Sequence, residues 1–93
     1  MAQEMVIRKQ MIFSGDVQGV GFRYRSQYAA NSCGVIGWVK NEWDGTVHME
    51  AQGTQQAIQE MIRLIQQSRY IRIDHIQEKI IPVESHAYGF HIR

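Results

Sequence analysis

Two stretches of helical periodicity, each set between runs of strand-like alternation, constrain this chain most. Phe22, Ser26, Ala29, Ala30 and Cys33 recur at i, i+4, i+7, i+8 and i+11, which is one face of a helix. Gly34 stands where a C′ glycine ends such a helix. Ile58, Met61, Ile62 and Ile65 follow at i, i+3, i+4 and i+7, and Thr54 suits the N-cap of this second helix. A helix with one apolar stripe must bury it against another element, so the segments between the stripes have to supply a sheet.

Those segments carry the period of two. Met5, Ile7, Met11 and Phe13 share one parity, with Val6 and Ile12 on the other. Val35 to Asn41 reads as a second strand, weakened by Gly37. Val47, Met49 and Ala51 alternate with Thr46, His48, Glu50 and Gln52, which predicts a third strand with one wet face. Between these two, Asn41-Glu42-Trp43-Asp44-Gly45 reads as a tight turn, because Asp-Gly favours the twisted hairpin types. Arg72 to Ile81 reads as a fourth strand. Ile71 and Ile73 have one parity and Ile76 and Ile80 the other, so it needs a bulge or a late start. Tyr88 to Arg93 is a last short edge strand. The order strand, helix, strand, strand, helix, strand is the split βαβ pattern. It predicts an α+β, ferredoxin-like sandwich (βαββαβ) with an antiparallel sheet of four to five strands and both helices on one face.

A chain of 93 residues fits one domain, residues 1–93. The net charge of +1 is too small to imply nucleic acid or a membrane surface as a partner. Cys33 is the only cysteine. That excludes an internal disulfide and a zinc site built from several thiolates. No apolar run reaches the length of a membrane span, and Met1 to Glu4 show no leader pattern. The expectation is a cytoplasmic monomer without metal or cofactor. His48, His75, His86 and His91 have no metal spacing and read as surface or strand-face residues. Glu50, Asp74 and Glu78 read as solvated strand faces, and Cys33 as a small buried hydrophobe.

The chemistry points to one place. In the split βαβ topology the first and second strands run parallel with the third between them. Their carboxyl ends lie at one end of the sheet, roughly 10 Å apart. Gly15-Asp16-Val17-Gln18-Gly19-Val20-Gly21 leaves the first strand there with three glycines in seven residues. Glycines let successive N–H groups converge as a nest. The following helix start adds free amides and a positive dipole end. Arg23 enters in its first turn, and a guanidinium grips two phosphate oxygens at once. Asn41 ends the second strand within reach. The set suits a phosphoryl group, although a glycine loop that merely turns a strand into a helix would look much the same. Val17, Val20 and Phe22 read as packing residues, and Trp38 as a sheet residue.

Three phosphate or nucleic-acid motifs do not match. No Walker string occurs. The dinucleotide fingerprint lacks its third glycine, since Tyr24 stands there. Gly19-Val20-Gly21-Phe22 resembles the core of an RNA-binding string of the same fold class. However, it follows the first strand, whereas that motif belongs on the third.

Gly15-Asp16-Val17-Gln18-Gly19-Val20-Gly21-Phe22-Arg23 resembles the first signature of the acylphosphatase family. Gly37-Trp38-Val39-Lys40-Asn41, Asp44-Gly45-Thr46-Val47 and Gly53 resemble the second, and Phe90-His91-Ile92-Arg93 its usual ending. The resemblance implies hydrolysis of a small acyl phosphate to carboxylate and phosphate. It implies that Arg23 and the backbone amides of Gln18, Gly19, Val20, Gly21 and Phe22 bind the phosphate, and that Asn41 orients the attacking water. The same signature opens a larger hydrogenase maturation factor, but there proline usually follows the arginine. Two features depart from the family pattern. Trp43 is bulky for the turn after Asn41, where it would narrow the mouth or stack on an acyl group. Ser68 to Arg72 lacks an expected proline. Two other classes remain: a phosphate sensor without turnover, and a small RNA-binding module, which would need exposed aromatics on the open sheet face.

Overall fold

Register is what assembles this chain. The structure, a computed structural model, describes residues 5–93. Its elements are β1 (Val6–Asp16), α1 (Phe22–Cys33), β2 (Ile36–Asn41), β3 (Val47–Thr54), α2 (Gln55–Gln66), β4 (Arg72–Ile81) and β5 (Phe90–Ile92). The sheet order is β4-β1-β3-β2-β5. β3 lies antiparallel to both β1 and β2, so those two run parallel on either side of it. Met11, Met49 and Val39 form one cross-strand row, and Phe13, Val47 and Asn41 the next. All of these but Asn41 are buried. Against that face pack Phe22, Ala29 and Ala30 of α1 and Ile58, Met61 and Ile65 of α2.

Both helices end as their sequences require. Gly34 terminates α1 in the left-handed conformation, with its N–H donating to the Ala30 carbonyl. Thr54 caps α2 by accepting from the Ala57 N–H at 3.0 Å. Arg25 of α1 donates twice, through Nε at 3.0 Å and Nη2 at 2.9 Å, to the Leu64 carbonyl near the end of α2. A cation is favoured at that negative end of the helix dipole, so this bond locks the helices to each other. Ser68 and Tyr70 close the segment without proline: the Ser68 carbonyl accepts from the Ile71 N–H at 3.3 Å.

The bulge expected in the fourth strand is present. Ser14 pairs with His75 and Gly15 with Ile73, which leaves Asp74 as the extra residue. Gly15 is needed there, because a Cβ would run into the Arg72 carbonyl oxygen. The bulge flips the parity, so Ile73 and Ile76 both pack on the core.

Four expectations need correction. The sheet is mixed rather than antiparallel, since β5 runs parallel to β2. The chain leaves β4 at one edge and must cross the sheet to reach β5 at the other. Residues 82–89 make that crossing over the face away from the helices. The third strand's second face is therefore not simply wet. Gln52 accepts from the Glu84 N–H at 2.9 Å and donates to the Glu84 carbonyl at 3.1 Å. Beneath lies Arg8, 1% exposed, donating to Glu50 at 2.9 Å and to Gln52 at 3.1 Å. Glu50 is thus the partner of a buried guanidinium, not a solvated carboxylate. Cys33 is only half-buried; burial, and then the Glu60 charge, raise its thiol pKa above the ordinary value.

Gly37 fits where no other residue would. It has φ +144°, and a Cβ there would meet the Glu50 carbonyl oxygen across the ladder. Gly37→Ala is expected to lower stability by at least about 2 kcal/mol, seen as a fall of about 1 M or more in the urea midpoint. Gly53→Ala, where a Cβ meets Val35 Cγ2 at an ordinary 3.5 Å, should move the midpoint far less.

Candidate active site

The loop between β1 and α1 is fixed at both ends and open in the middle. At its start Asp16 pairs with Arg72 at 2.9 Å, and Val17 is buried. At its end Phe22 is buried against Phe13, ring centroids 5.0 Å apart. Such an aromatic contact adds about 0.5–1.5 kcal/mol beyond area burial. Between these anchors Gly19 and Gly21 take φ +73° and +79°, with open space where a Cβ would stand. Two left-handed residues bend the backbone back on itself, as a nest requires.

The start of α1 contrasts with that of α2. Its N-cap is Gly21, with no side-chain cap and no acidic residue in the first turn. The first-turn amides therefore have no side-chain acceptor, and an anion can serve as one. Arg23 follows on that turn, half-buried, with no hydrogen bond or ion pair among the described residues.

Asn41 reaches the same place from β2. It shares a cross-strand row with Val47 and Phe13, so it faces the helices, and Phe13 is the residue on which Phe22 rests. A pocket of about 210 Å³ is lined by Val17, Gly19, Gly21, Phe22, Arg23, Tyr24 and Asn41. Asn41 Oδ1 is buried there without a partner, the one such side-chain atom among the described residues. A buried acceptor left alone costs about 1–3 kcal/mol, so such an atom calls for a partner. Roomier clefts elsewhere, such as one of about 720 Å³ beside Cys33 and Glu60, contain no such atom.

Gln18 has a role the sequence did not signal. Its backbone belongs to the loop, but its side chain turns away from the pocket lining. Nε2 donates to the Glu42 carbonyl at 2.6 Å and the Thr46 carbonyl at 2.8 Å. These carbonyls flank the β2–β3 turn, so one amide group ties the glycine loop to the hairpin that carries Asn41. The turn differs from the two-residue form that Asp-Gly suggests. The Gly45 N–H donates to the Glu42 carbonyl, the Glu42 N–H to the Thr46 carbonyl, and only Gly45 has positive φ. This is a three-residue loop of the type I plus bulge kind. Asp44 closes it by accepting from Thr46 Oγ1 at 2.6 Å and Thr46 N at 3.0 Å. Those bonds hold its carboxyl below the ordinary pKa, so the closure is present at neutral pH and weakens only in acid.

The sequence-derived residues separate accordingly. Gly19, Gly21, Phe22, Arg23 and Asn41 meet in one pocket; Val20 packs partly against the core. Ser26 is a buried helix residue donating to the Phe22 carbonyl. Tyr24 lines the pocket as well. Among the described residues no group of three or more His, Cys, Asp or Glu is placed to hold a metal.

This fold and pocket define the class: a small α+β sandwich with a candidate anion site at the parallel ends of β1 and β2. The comparisons then make it specific. The acylphosphatase family model matches residues 9–92. An acylphosphatase from Bifidobacterium longum is 38% identical over 90 residues, covering 95% of this chain and 93% of its own. The crystal structure of an acylphosphatase from Bacillus subtilis aligns with a TM-score of 0.84 at 32% identity, covering 96% of this chain and 99% of that one. Full-length HypF, in a phosphate- and nucleotide-bound form, aligns at 28% identity and a TM-score of 0.84, over 99% of this chain but 12% of its own. The chain belongs to the acylphosphatase family.

Removing the Gln18 amide tests the tie between loop and hairpin. Gln18→Ala is expected to lower stability by about 1–2 kcal/mol in urea unfolding and to weaken binding of inorganic phosphate measured by calorimetry. An unchanged phosphate affinity would show that the loop holds its shape without the hairpin.

Proposed function

We propose that this protein hydrolyses the carboxyl–phosphate bond of small acyl phosphates by direct attack of water on phosphorus. The observation that carries this reading is the unpartnered Asn41 Oδ1 in the same small pocket as Arg23 and the glycine loop. A phosphate-binding site without turnover would have no use for an empty buried acceptor beside the anion cradle.

Phosphoryl transfer depends on positioning and charge stabilisation more than on covalent help from the protein. Arg23 and the amides of Gly19 to Phe22 would hold the phosphoryl oxygens and stabilise their charge in the transition state. Asn41 Oδ1 would accept one O–H of a water, leaving an oxygen lone pair free for phosphorus. The new P–O bond forms as the P–O bond to the acyl group breaks, and the carboxylate leaves with the electron pair. The water's proton passes to a phosphate oxygen, because a neutral carboxamide is too weak a base to take it. A carboxylate leaves without help from a strong acid.

Other features fit. Among the described residues no helix is long and apolar enough to cross a membrane, and the single cysteine suits the reducing cytoplasm. Trp38 on the open face is stacked under Arg93 at 4.7 Å, so that ring is already covered and is not free to stack on an RNA base.

Turnover of benzoyl phosphate in the presence of chelator tests the reading. Arg23→Ala is expected to lose phosphate binding and activity together, by about 10²–10³ in turnover. Asn41→Ala should lose turnover on a similar scale while still binding inorganic phosphate. Full activity in Asn41→Ala would remove that residue from the mechanism.

A further inference from the structure

Resting on that reading, the geometry points to Tyr24 as the residue that receives the acyl group and favours a flat one. The argument starts from what lines the pocket. Its polar groups, Arg23, Asn41 and the loop amides, are all engaged at the phosphoryl end. Its apolar members are Val17, Phe22 and Tyr24. Val17 and Phe22 are 1% and 2% exposed, their surfaces taken up by the core. Tyr24 is 72% exposed, and its side chain has no hydrogen-bond or ring partner among the described residues. It is the only apolar lining surface still free to cover a ligand.

Its position also fits. Tyr24 and Arg23 line the same pocket, so a phosphoryl group held by Arg23 brings its acyl substituent within reach of the ring. A flat acyl group stacks on the phenol ring, whereas an acetyl group is too small to cover it. Stacking of this kind corresponds to roughly two- to tenfold in affinity. Trp43 is the competing candidate. It is 96% exposed at the hairpin tip, but it is absent from the pocket lining and sits on the side that carries Asn41.

The test is phosphate release from benzoyl phosphate and acetyl phosphate by wild type, Tyr24→Ala, Tyr24→Phe and Trp43→Ala. Tyr24 lies on the surface, and alanine is a good helix former, so the fold should survive, as circular dichroism would verify. Tyr24→Ala is expected to lower kcat/KM for benzoyl phosphate about fivefold, mostly through KM. Acetyl phosphate should stay within about twofold, and Tyr24→Phe should behave as wild type. An equal fall for both substrates in Tyr24→Ala overturns the assignment. So does a loss in Tyr24→Phe matching that in Tyr24→Ala, or a changed substrate ratio in Trp43→Ala alone. Wild type that turns over neither substrate would instead sink the hydrolase reading beneath it.

Discussion

The whole arrangement depends on β1 and β2 running parallel with β3 between them, in one register. That topology brings the end of β1, where the glycine loop begins, to the same edge as the end of β2. Register then decides which way Asn41 points. Because side chains alternate along a strand, a slip of one residue would send Asn41 to the open face and put Lys40 in its place. Burial prevents the slip. Met11, Met49 and Val39 share the row beneath, and shifting β2 by one would expose Val39 while burying a lysine. The apolar core therefore aims the polar group, and the site inherits its geometry from side chains that never touch a ligand.

The two helices treat their amino ends differently, and the difference separates structure from function. α2 has its own cap in Thr54. α1 has Gly21, no side-chain cap and no acidic residue near its start, so its first amides are left without a side-chain acceptor. With glycine at the N-cap, foregoing a side-chain cap costs only about a few tenths of a kcal/mol, and the lone Asn41 acceptor adds to that. The helix is secured by other means. Phe22 is buried on Phe13, Arg25 clasps the end of α2, and Gln27 donates to the Phe90 carbonyl of β5. Stability withheld at the pocket is thus supplied by contacts along the helix body, where they do not obstruct the ligand.

Much of this was legible in the residues. The helical stripes, the strand alternation, Gly34 and Thr54 each report a local preference that the tertiary fold also satisfies, so local and global demands agree. The bulge was legible because the isoleucine parity breaks between Ile73 and Ile76. The direction of β5 was not, because a strand of three residues carries no signal for its partner. Nor was the covering of the open face. Arg8 looks like an ordinary solvent-facing residue of an alternating strand, and only the path of residues 82–89 buries it. In the site, Arg23 and Asn41 stood out because their chemistry is rare at those positions. The side chain of Gln18 did not, since a glutamine in a loop reads as a solvated amide until the two carbonyls it joins are placed opposite it. The exact turn type was not legible for a related reason: Asp-Gly fits more than one hairpin loop, and the hydrogen bonds of Glu42 and Thr46 select among them.

That amide matters beyond local stability. The proposed reaction needs two groups from different elements, a cradle on the loop and an acceptor on the hairpin, held at one separation. A displacement of about 1 Å in such a pair can cost on the order of 10²-fold in rate. The sheet fixes the strands but not the loops that project beyond them. Past the last β1–β3 pair, Phe13 with Val47, no ladder hydrogen bond joins the two projections. Gln18 Nε2 bonds to both the Glu42 and Thr46 carbonyls there. It extends the ladder by one side-chain rung into the region where chemistry would occur. The loop and hairpin then move together relative to solvent rather than relative to each other, as a site that acts by positioning requires.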